Sequence, residues 1–172
     1  MVDVSGSMTG IPMEVAIALG MLISKNTHSD FQNNLMTFHK KPTWFTMDPS
    51  WSFKETVSSV MGMPWGMNTN FELAWQMILG VAVSRGVSPE EMPEFLFVLS
   101  DMQFDQSCDP RTFETHYTTM RKNFEDAGYT LPVIVFWNLR ATSNYPCVST
   151  QDGVVMISGF SPAVLKLSLI HI

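Results

Sequence analysis

Three segments of the chain carry oxygen-bearing side chains in a pattern suited to holding a cation. The first contains Asp3, Ser5 and Ser7, spaced two residues apart around Gly6. In a nearly extended turn, residues two apart point the same way, and Gly6 permits the backbone to turn between the serines. One carboxylate and two hydroxyls are therefore expected to converge.

The other two segments lie far along the chain. Thr69 stands at the end of a glycine-bearing loop and the start of a predicted helix, where a hydroxyl faces the adjoining edge of a sheet. Asp101 follows directly after a predicted buried strand. Ligands of open α/β sheets bind outside the carboxyl ends of the strands, so all three segments are expected at one edge. The predicted metal ligands are Asp3, Ser5, Ser7, Thr69 and Asp101.

The chemistry of this set favours a small, hard cation. Three hydroxyls and two carboxylates give an all-oxygen site with a formal charge of about −2, which suits Mg²⁺ or Mn²⁺ better than zinc. A purely structural alternative stays open, in which Asp3 caps a turn and the two serines satisfy backbone donors. We expect no catalytic residues and no organic cofactor.

Hydropathy predicts the elements that position these residues. Apolar runs at 95–99, 132–137 and 154–158 predict strands, and helical spacing predicts helices near 13–23, 52–61, 70–81, 110–127 and from about 163. The runs 35–38 and 43–46 predict an antiparallel hairpin at a sheet edge. The predicted fold class is α/β: a Rossmann-like, doubly wound, mainly parallel sheet with helices on both faces and one antiparallel edge strand.

Length and composition indicate one folded domain. The chain has 172 residues, of which 45% are apolar and 15% charged, which excludes a disordered chain and a highly charged coiled coil. We assign residues 1–166 to a single domain whose first strand is expected to be truncated. Residues 167–172 resemble a translated transposase end sequence and are predicted to be a non-native tail, although they could also continue a last amphipathic helix.

Charge and cysteine content narrow the partners and the compartment. The net charge of −6 has the wrong sign for holding nucleic acid through its phosphates. Cys108 and Cys147 are predicted to be free thiols, since they form no metal-binding motif or disulfide scaffold. No apolar run is long enough to span a bilayer, no leader peptide is recognisable and no glycosylation acceptor occurs. We therefore expect an intracellular, cytoplasmic protein without membrane contact.

The three segments together resemble the metal ion-dependent adhesion site of a von Willebrand factor type A (vWA) domain, and the resemblance covers essentially the whole chain. Segments 99–105, 136–139 and 158–161 further resemble an uncharacterised intracellular family of plants, fungi and large DNA viruses. The resemblance implies that Ser5, Ser7 and Thr69 bind the ion directly or through water. It implies that Asp3 and Asp101 often act one water removed.

The resemblance also implies a function, because a partner's acidic side chain commonly completes such a site. Uncharged hydroxyl ligands leave the cation electrophilic, so an outside carboxylate is strongly stabilised. We therefore expect a non-enzymatic, Mg²⁺-dependent protein-interaction domain whose oligomeric state is open. One alternative is a scaffold part of a ribonucleoprotein or larger assembly, since Ro-type RNA-binding proteins end in a domain of this kind.

A second alternative is a Mg²⁺-dependent phosphohydrolase. That chemistry requires a second aspartate where Ser5 stands and a lysine near the later strands, which the sequence lacks. Three features near the site have open interpretations: Asp105 as an outer acceptor or a solvated carboxylate, and Met63, Trp65 and Met67 as an apolar rim or as core. The basic pair at 40–41 is expected to be solvated.

Overall fold

The computed structural model of the chain describes residues 1–64, 70–102, 110–140 and 152–159. Within these ranges it is a mixed α/β structure with four α-helices and five strands. The helices are α1 (Ile11–Lys25), α2 (Phe53–Met61), α3 (Phe71–Arg85) and α4 (Pro110–Asp126). The strands are β1 (Asn34–Met36), β2 (Trp44–Thr46), β3 (Phe95–Ser100), β4 (Val133–Asn138) and β5 (Val154–Ser158). The described residues also form two 3-10 turns, Gly6–Met8 and Pro89–Glu91.

The strands form two small sheets that the first residues of the chain connect. In the order β3-β4-β5 the strands pair in parallel, whereas β1 and β2 pair antiparallel. Val2 forms parallel bridges to Thr37, just beyond β1, and to Leu99 of β3. The N–H of Val2 donates to the Met36 carbonyl and the N–H of Asp3 to the Leu99 carbonyl. Val2 and Asp3 therefore lie between β1 and β3.

Helices cover both faces of the parallel sheet, because side chains alternate along each strand. On one face Leu96 and Val98 of β3 join a core cluster with Trp75 of α3 and residues of α4. On the other face Phe97 and Leu99 pack in a second cluster with residues of α1 and α2. This burial on two faces accounts for the continuous apolar sequences of β3 and β4.

Much of the predicted architecture is confirmed at this level. The mixed α/β class, the parallel pairing of the buried strands and the antiparallel hairpin all appear, with strand ends shifted by at most two residues. The Rossmann-like, doubly wound topology in its finer sense stays a prediction. The predicted helix from 163, the two cysteines and the tail at 167–172 lie outside the described residues.

A complete capping box begins α2. The Ser52 hydroxyl accepts a hydrogen bond from the Glu55 N–H, and the Glu55 carboxylate accepts from the Ser52 N–H at 2.8 Å and from its hydroxyl at 2.6 Å. These bonds lower the pKa of Glu55, the Ser52 hydroxyl contributing most. The box satisfies donors that a helix start otherwise leaves without partners.

Replacing this cap should destabilise the fold. Ser52→Ala is expected to lower the free energy of unfolding by about 1 kcal/mol, because the Glu55 N–H loses its acceptor. Urea denaturation measures the change. Ser58→Ala, an exposed position inside the same helix, is the control and should stay within about 0.5 kcal/mol of the parent. Equal losses in the two variants would contradict a capping role.

Candidate functional site

Asp3, Ser5 and Ser7 converge where the first segment leaves the sheet. The Asp3 carboxylate is 3% exposed, and its Oδ1 accepts a hydrogen bond of 2.9 Å from the Ser5 N–H. The hydroxyl oxygens of Ser5 and Ser7 lie 2.9 Å apart, and both serines are half-buried. Two hydroxyls of half-buried serines therefore lie together in the turn that follows a buried carboxylate.

The local backbone differs from the predicted extended turn. Residues Gly6–Met8 form a 3-10 turn in which the Met8 N–H donates to the Ser5 carbonyl. The predicted convergence of the two serines is confirmed, but a tight turn produces it rather than alternation along an extended chain. The hydrogen bond from Ser5 to Asp3 also shows that the structural interpretation, a carboxylate bonding its own turn, holds for one of its oxygens.

Asp101 lies at the end of the neighbouring strand. It is 1% exposed and directly follows Ser100, the last residue of β3. The Asp3 N–H pairs with the carbonyl of Leu99, so the backbones that carry the two carboxylates are hydrogen-bonded neighbours. Burial raises the pKa of Asp3, and the electrostatic interaction with Asp101 adds to that increase. The structure thus brings Asp3, Ser5, Ser7 and Asp101 to one edge, as predicted.

Thr69, the fifth predicted ligand, lies outside the described residues. Asp105, Trp65 and Met67 lie outside them as well. Met63 is 3% exposed and packs in the cluster with α1 and α2, so the core interpretation of this methionine is confirmed.

Ser100 is a site residue that the sequence analysis missed. Its hydroxyl donates to Asp3 Oδ2 at 2.7 Å and accepts from the N–H of Met102 at 3.2 Å, so it links the two strand ends. A recognisable signal was present, because a hydroxyl at the buried end of an apolar strand requires a polar partner. Met102 is fully buried, and its backbone φ of +59° is unusual for a residue other than glycine. Backbone strain of this type is often found at functional sites.

The electrostatics of the site centre on the Asp3 carboxyl. Burial raises the pKa of Asp3 above its ordinary value, and the Asp101 carboxylate adds to the increase. Hydrogen bonds from Ser100 and Ser5 lower the pKa in part. Within the described ranges no basic side chain forms an ion pair with Asp3. The ionised form of this carboxyl is therefore held by neutral donors alone among these residues.

Removing the Ser100 hydroxyl should therefore weaken the fold. Ser100→Ala is expected to cost about 1–3 kcal/mol of unfolding free energy at neutral pH, because it leaves a buried carboxylate oxygen without its donor. Chemical denaturation measures the loss. Ser24→Ala is the matched control, since Ser24 is also buried but bonds only a carbonyl of its own helix. A loss no larger than that of the control would show that the Ser100 bond contributes little.

The described residues lack two features that would point to other functions. They contain no group of three or more His, Cys, Asp or Glu side chains able to hold a metal ion. None of their helices combines the length and apolar character needed to cross a lipid bilayer.

Comparison with known proteins places the chain in a family. The family model described as a domain of unknown function (DUF7788) matches residues 1–171. Uncharacterized protein L728 of Acanthamoeba polyphaga mimivirus is 41% identical over 167 residues, which cover 96% of this chain and 29% of that protein. The chain thus spans less than a third of the length of this relative.

A solved structure has a similar fold. The crystal structure of the Deinococcus radiodurans RO (RSR) protein superposes with a TM-score of 0.63 and 17% sequence identity, over 99% of this chain and 32% of that one. At this identity the likeness concerns the fold alone.

These findings correct the family assignment made from the sequence. The predicted membership of the vWA family, with its metal ion-dependent adhesion site, is wrong: the matching model is that of DUF7788, and the similar structure is the RSR protein. That assignment rested on five oxygen-bearing residues in three segments, whereas the described residues hold no group of three or more His, Cys, Asp or Glu side chains able to hold a metal ion. The chain belongs to the DUF7788 family of domains of unknown function.

Proposed function

We propose that this domain binds a protein partner through a divalent cation, Mg²⁺ or Mn²⁺, held at the carboxyl edge of the sheet. The observation that carries the proposal is the arrangement of Asp3, Ser5, Ser7 and Asp101, in which two buried carboxylates stand behind two half-buried hydroxyls. Oxygen ligands of this kind suit Mg²⁺, which keeps several waters and uses few carboxylates. Thr69 is included in the proposal from the sequence.

The charge distribution supports a cation in this place. Burial and the neighbouring Asp101 carboxylate both raise the pKa of Asp3, so its ionised form carries an electrostatic cost at neutral pH. A divalent cation would remove this cost, because it attracts both carboxylates at once. The half-buried serine hydroxyls give it a route from solvent without displacing the core.

The proposed partner is a protein with an exposed acidic side chain. Two carboxylates neutralise a divalent cation formally, while neutral hydroxyls leave it able to attract another oxygen anion from outside. Inside a cell, where we place this interaction, free Mg²⁺ supplies the ion.

The hydrogen bonding of Asp3 favours binding over catalysis. Both Asp3 oxygens already accept hydrogen bonds, one from the Ser5 N–H and one from the Ser100 hydroxyl. A carboxylate that is buried and bonded in this way is a poor nucleophile, because attack would require breaking those bonds. We therefore propose a non-enzymatic role.

Nuclear magnetic resonance titration tests the proposal directly. Mg²⁺ or Mn²⁺ should perturb resonances of residues 3–7 and 100–102 in the parent protein. The double variant Ser5→Ala/Ser7→Ala should lose most of this binding, whereas the control Ser58→Ala/Ser59→Ala, with the same changes in α2, should keep it.

A nine-residue Gly/Ser peptide with one central Asp tests the partner step. It should bind in Mg²⁺, lose binding in EDTA, and lose it again when its Asp is replaced by Asn. Absence of metal-dependent shifts at residues 3–7 would overturn the proposed function.

A further inference from the structure

Three exposed basic residues lie at the same edge of the sheet as the candidate cation site. Lys40 and Lys41 belong to the turn between β1 and β2, and Arg140 follows the end of β4 by two residues. The parallel bridges of Val2 show that β1, the first segment and β3 all end at this edge. The sequence analysis assigned the lysine pair no role.

The strand order places these residues on opposite sides of the site. From one side to the other the order is β2, β1, the segment with Val2 and Asp3, then β3 and β4. The lysines therefore lie next to the Asp3 segment on the β1 side. Arg140 lies two strand positions away on the β4 side, beyond Asp101. The acidic centre thus has a basic flank on each side.

Both flanks have defined backbone geometry. Thr37 and Thr43 close the lysine turn, because the Thr37 N–H donates to the Thr43 carbonyl and the Thr43 N–H to the Thr37 hydroxyl. Within the turn the Lys41 N–H donates to His39 Nδ1 at 3.1 Å. On the other side the Arg140 N–H donates to Asn138 Oδ1 at 2.8 Å.

The three basic side chains of the flanks differ from two other arginines, which form ion pairs within the described residues. Arg85 and Arg121 pair with Asp30 and Glu125, at 3.4 Å and 3.1 Å. In the same described ranges Lys40, Lys41 and Arg140 form no ion pair, and all three are exposed. In a chain with ten basic and sixteen acidic residues, unpaired cations on both sides of one site are complementary to an acidic ligand.

From this arrangement we infer that the partner segment is an extended peptide with a row of acidic residues, one carboxylate on the cation and others on the basic flanks. The inference rests on the proposed function. Strands lie about 4.8 Å apart and an extended chain advances about 3.3 Å per residue. The outer acids are therefore expected about three positions from the central one toward Arg140, which lies two strand spacings away. Toward the Lys40–Lys41 turn, one to two spacings away, they are expected about two to three positions from it.

Two matched peptides test the inference. Both have nine residues in a Gly/Ser background with a central Asp, and one also carries Glu three positions to each side, where the other carries Gln. In Mg²⁺ the three-acid peptide should bind the parent protein about five- to ten-fold more tightly than the one-acid peptide. The triple variant Lys40→Gln/Lys41→Gln/Arg140→Gln should reduce this ratio to about two-fold or less.

The control variant Lys25→Gln/Lys54→Gln removes two exposed lysines from the opposite edge and should keep the parent ratio. A parent-like ratio in the triple variant would overturn the inference while leaving the cation site intact. Tighter binding of a nine-nucleotide single-stranded RNA than of the three-acid peptide would also overturn it, in favour of a nucleic-acid ligand.

The remaining outcomes separate the inference from the proposed function. If the three-acid peptide binds equally well in EDTA and still requires the three basic residues, the basic residues bind the peptide as inferred. The proposed role of the cation is then wrong. If neither peptide binds under any condition, both are wrong.

Discussion

Gly20→Ala is expected to lower the free energy of unfolding by about 1–3 kcal/mol, because the new methyl group has no room. A Cβ at this position of α1 would lie 2.5 Å from Cγ2 of Val2 and 3.4 Å from Cδ2 of Leu35. Val2 is 1% exposed and is bridged on both sides, so it cannot move without disturbing the segment that carries Asp3. Thermal and urea denaturation measure the loss.

The chain offers a control with the opposite sign. Gly80 lies in α3, is exposed, and a Cβ there would meet nothing within 4 Å. Gly80→Ala should therefore stabilise the protein by about 0.5–1 kcal/mol through helix propensity alone. In the Gly20→Ala background, Val2→Ala should recover part of the loss by removing the clashing methyl. A stable Gly20→Ala variant would show that α1 is not held against the first segment as described.

Asp3→Asn should change stability in opposite directions with and without the cation. In EDTA the variant is expected to be more stable than the parent at neutral pH, since it removes a buried charge whose pKa is raised. In Mg²⁺ at a hundred-fold excess over Kd, the parent should gain about 2.7 kcal/mol that the variant does not. Thermal unfolding of both proteins in both buffers gives the four values.

The pH dependence of stability gives a second comparison of the parent protein with Asp3→Asn. A carboxyl whose pKa is raised on folding binds its proton more tightly in the folded state. Its contribution to stability is therefore largest below the ordinary pKa and decreases as pH rises through the raised value. Parent protein in EDTA should show this decrease, and Asp3→Asn should lack it. A parent-like pH profile in the variant, or no effect of Mg²⁺ on the difference, would contradict the assignment to Asp3.

Local patterns in the sequence predicted the elements well and the details of the site less well. The apolar run of β3 and the helical spacing of α1 reflect interactions within a few residues, so they can be recognised without the fold. The bond between Ser100 and Asp3 joins residues 97 positions apart and depends on strand order. No local pattern contains that order. The positive φ of Met102 likewise has no local signal in the sequence, since methionine does not favour the left-handed region.

The family assignment failed for a related reason. The assignment rested on five residues in three segments, and so small a set of positions carries little information about descent. The match over residues 1–171 draws on the whole chain. The basic flanks could not be recognised from the sequence, because Lys40 and Arg140 lie 100 positions apart. Only the strand order shows that they lie on either side of Asp3.

The position of Val2 and Asp3 between β1 and β3 has a consequence for folding kinetics. These residues are the first in the sequence given, yet one of their two neighbours is a strand nearly a hundred residues later. Closing so long a loop carries a large entropic cost before any contact compensates for it. We therefore expect this segment to join the sheet late in folding. A ligand held there would then leave the folding rate almost unchanged and slow unfolding instead, since contacts formed after the transition state act mainly on the unfolding rate.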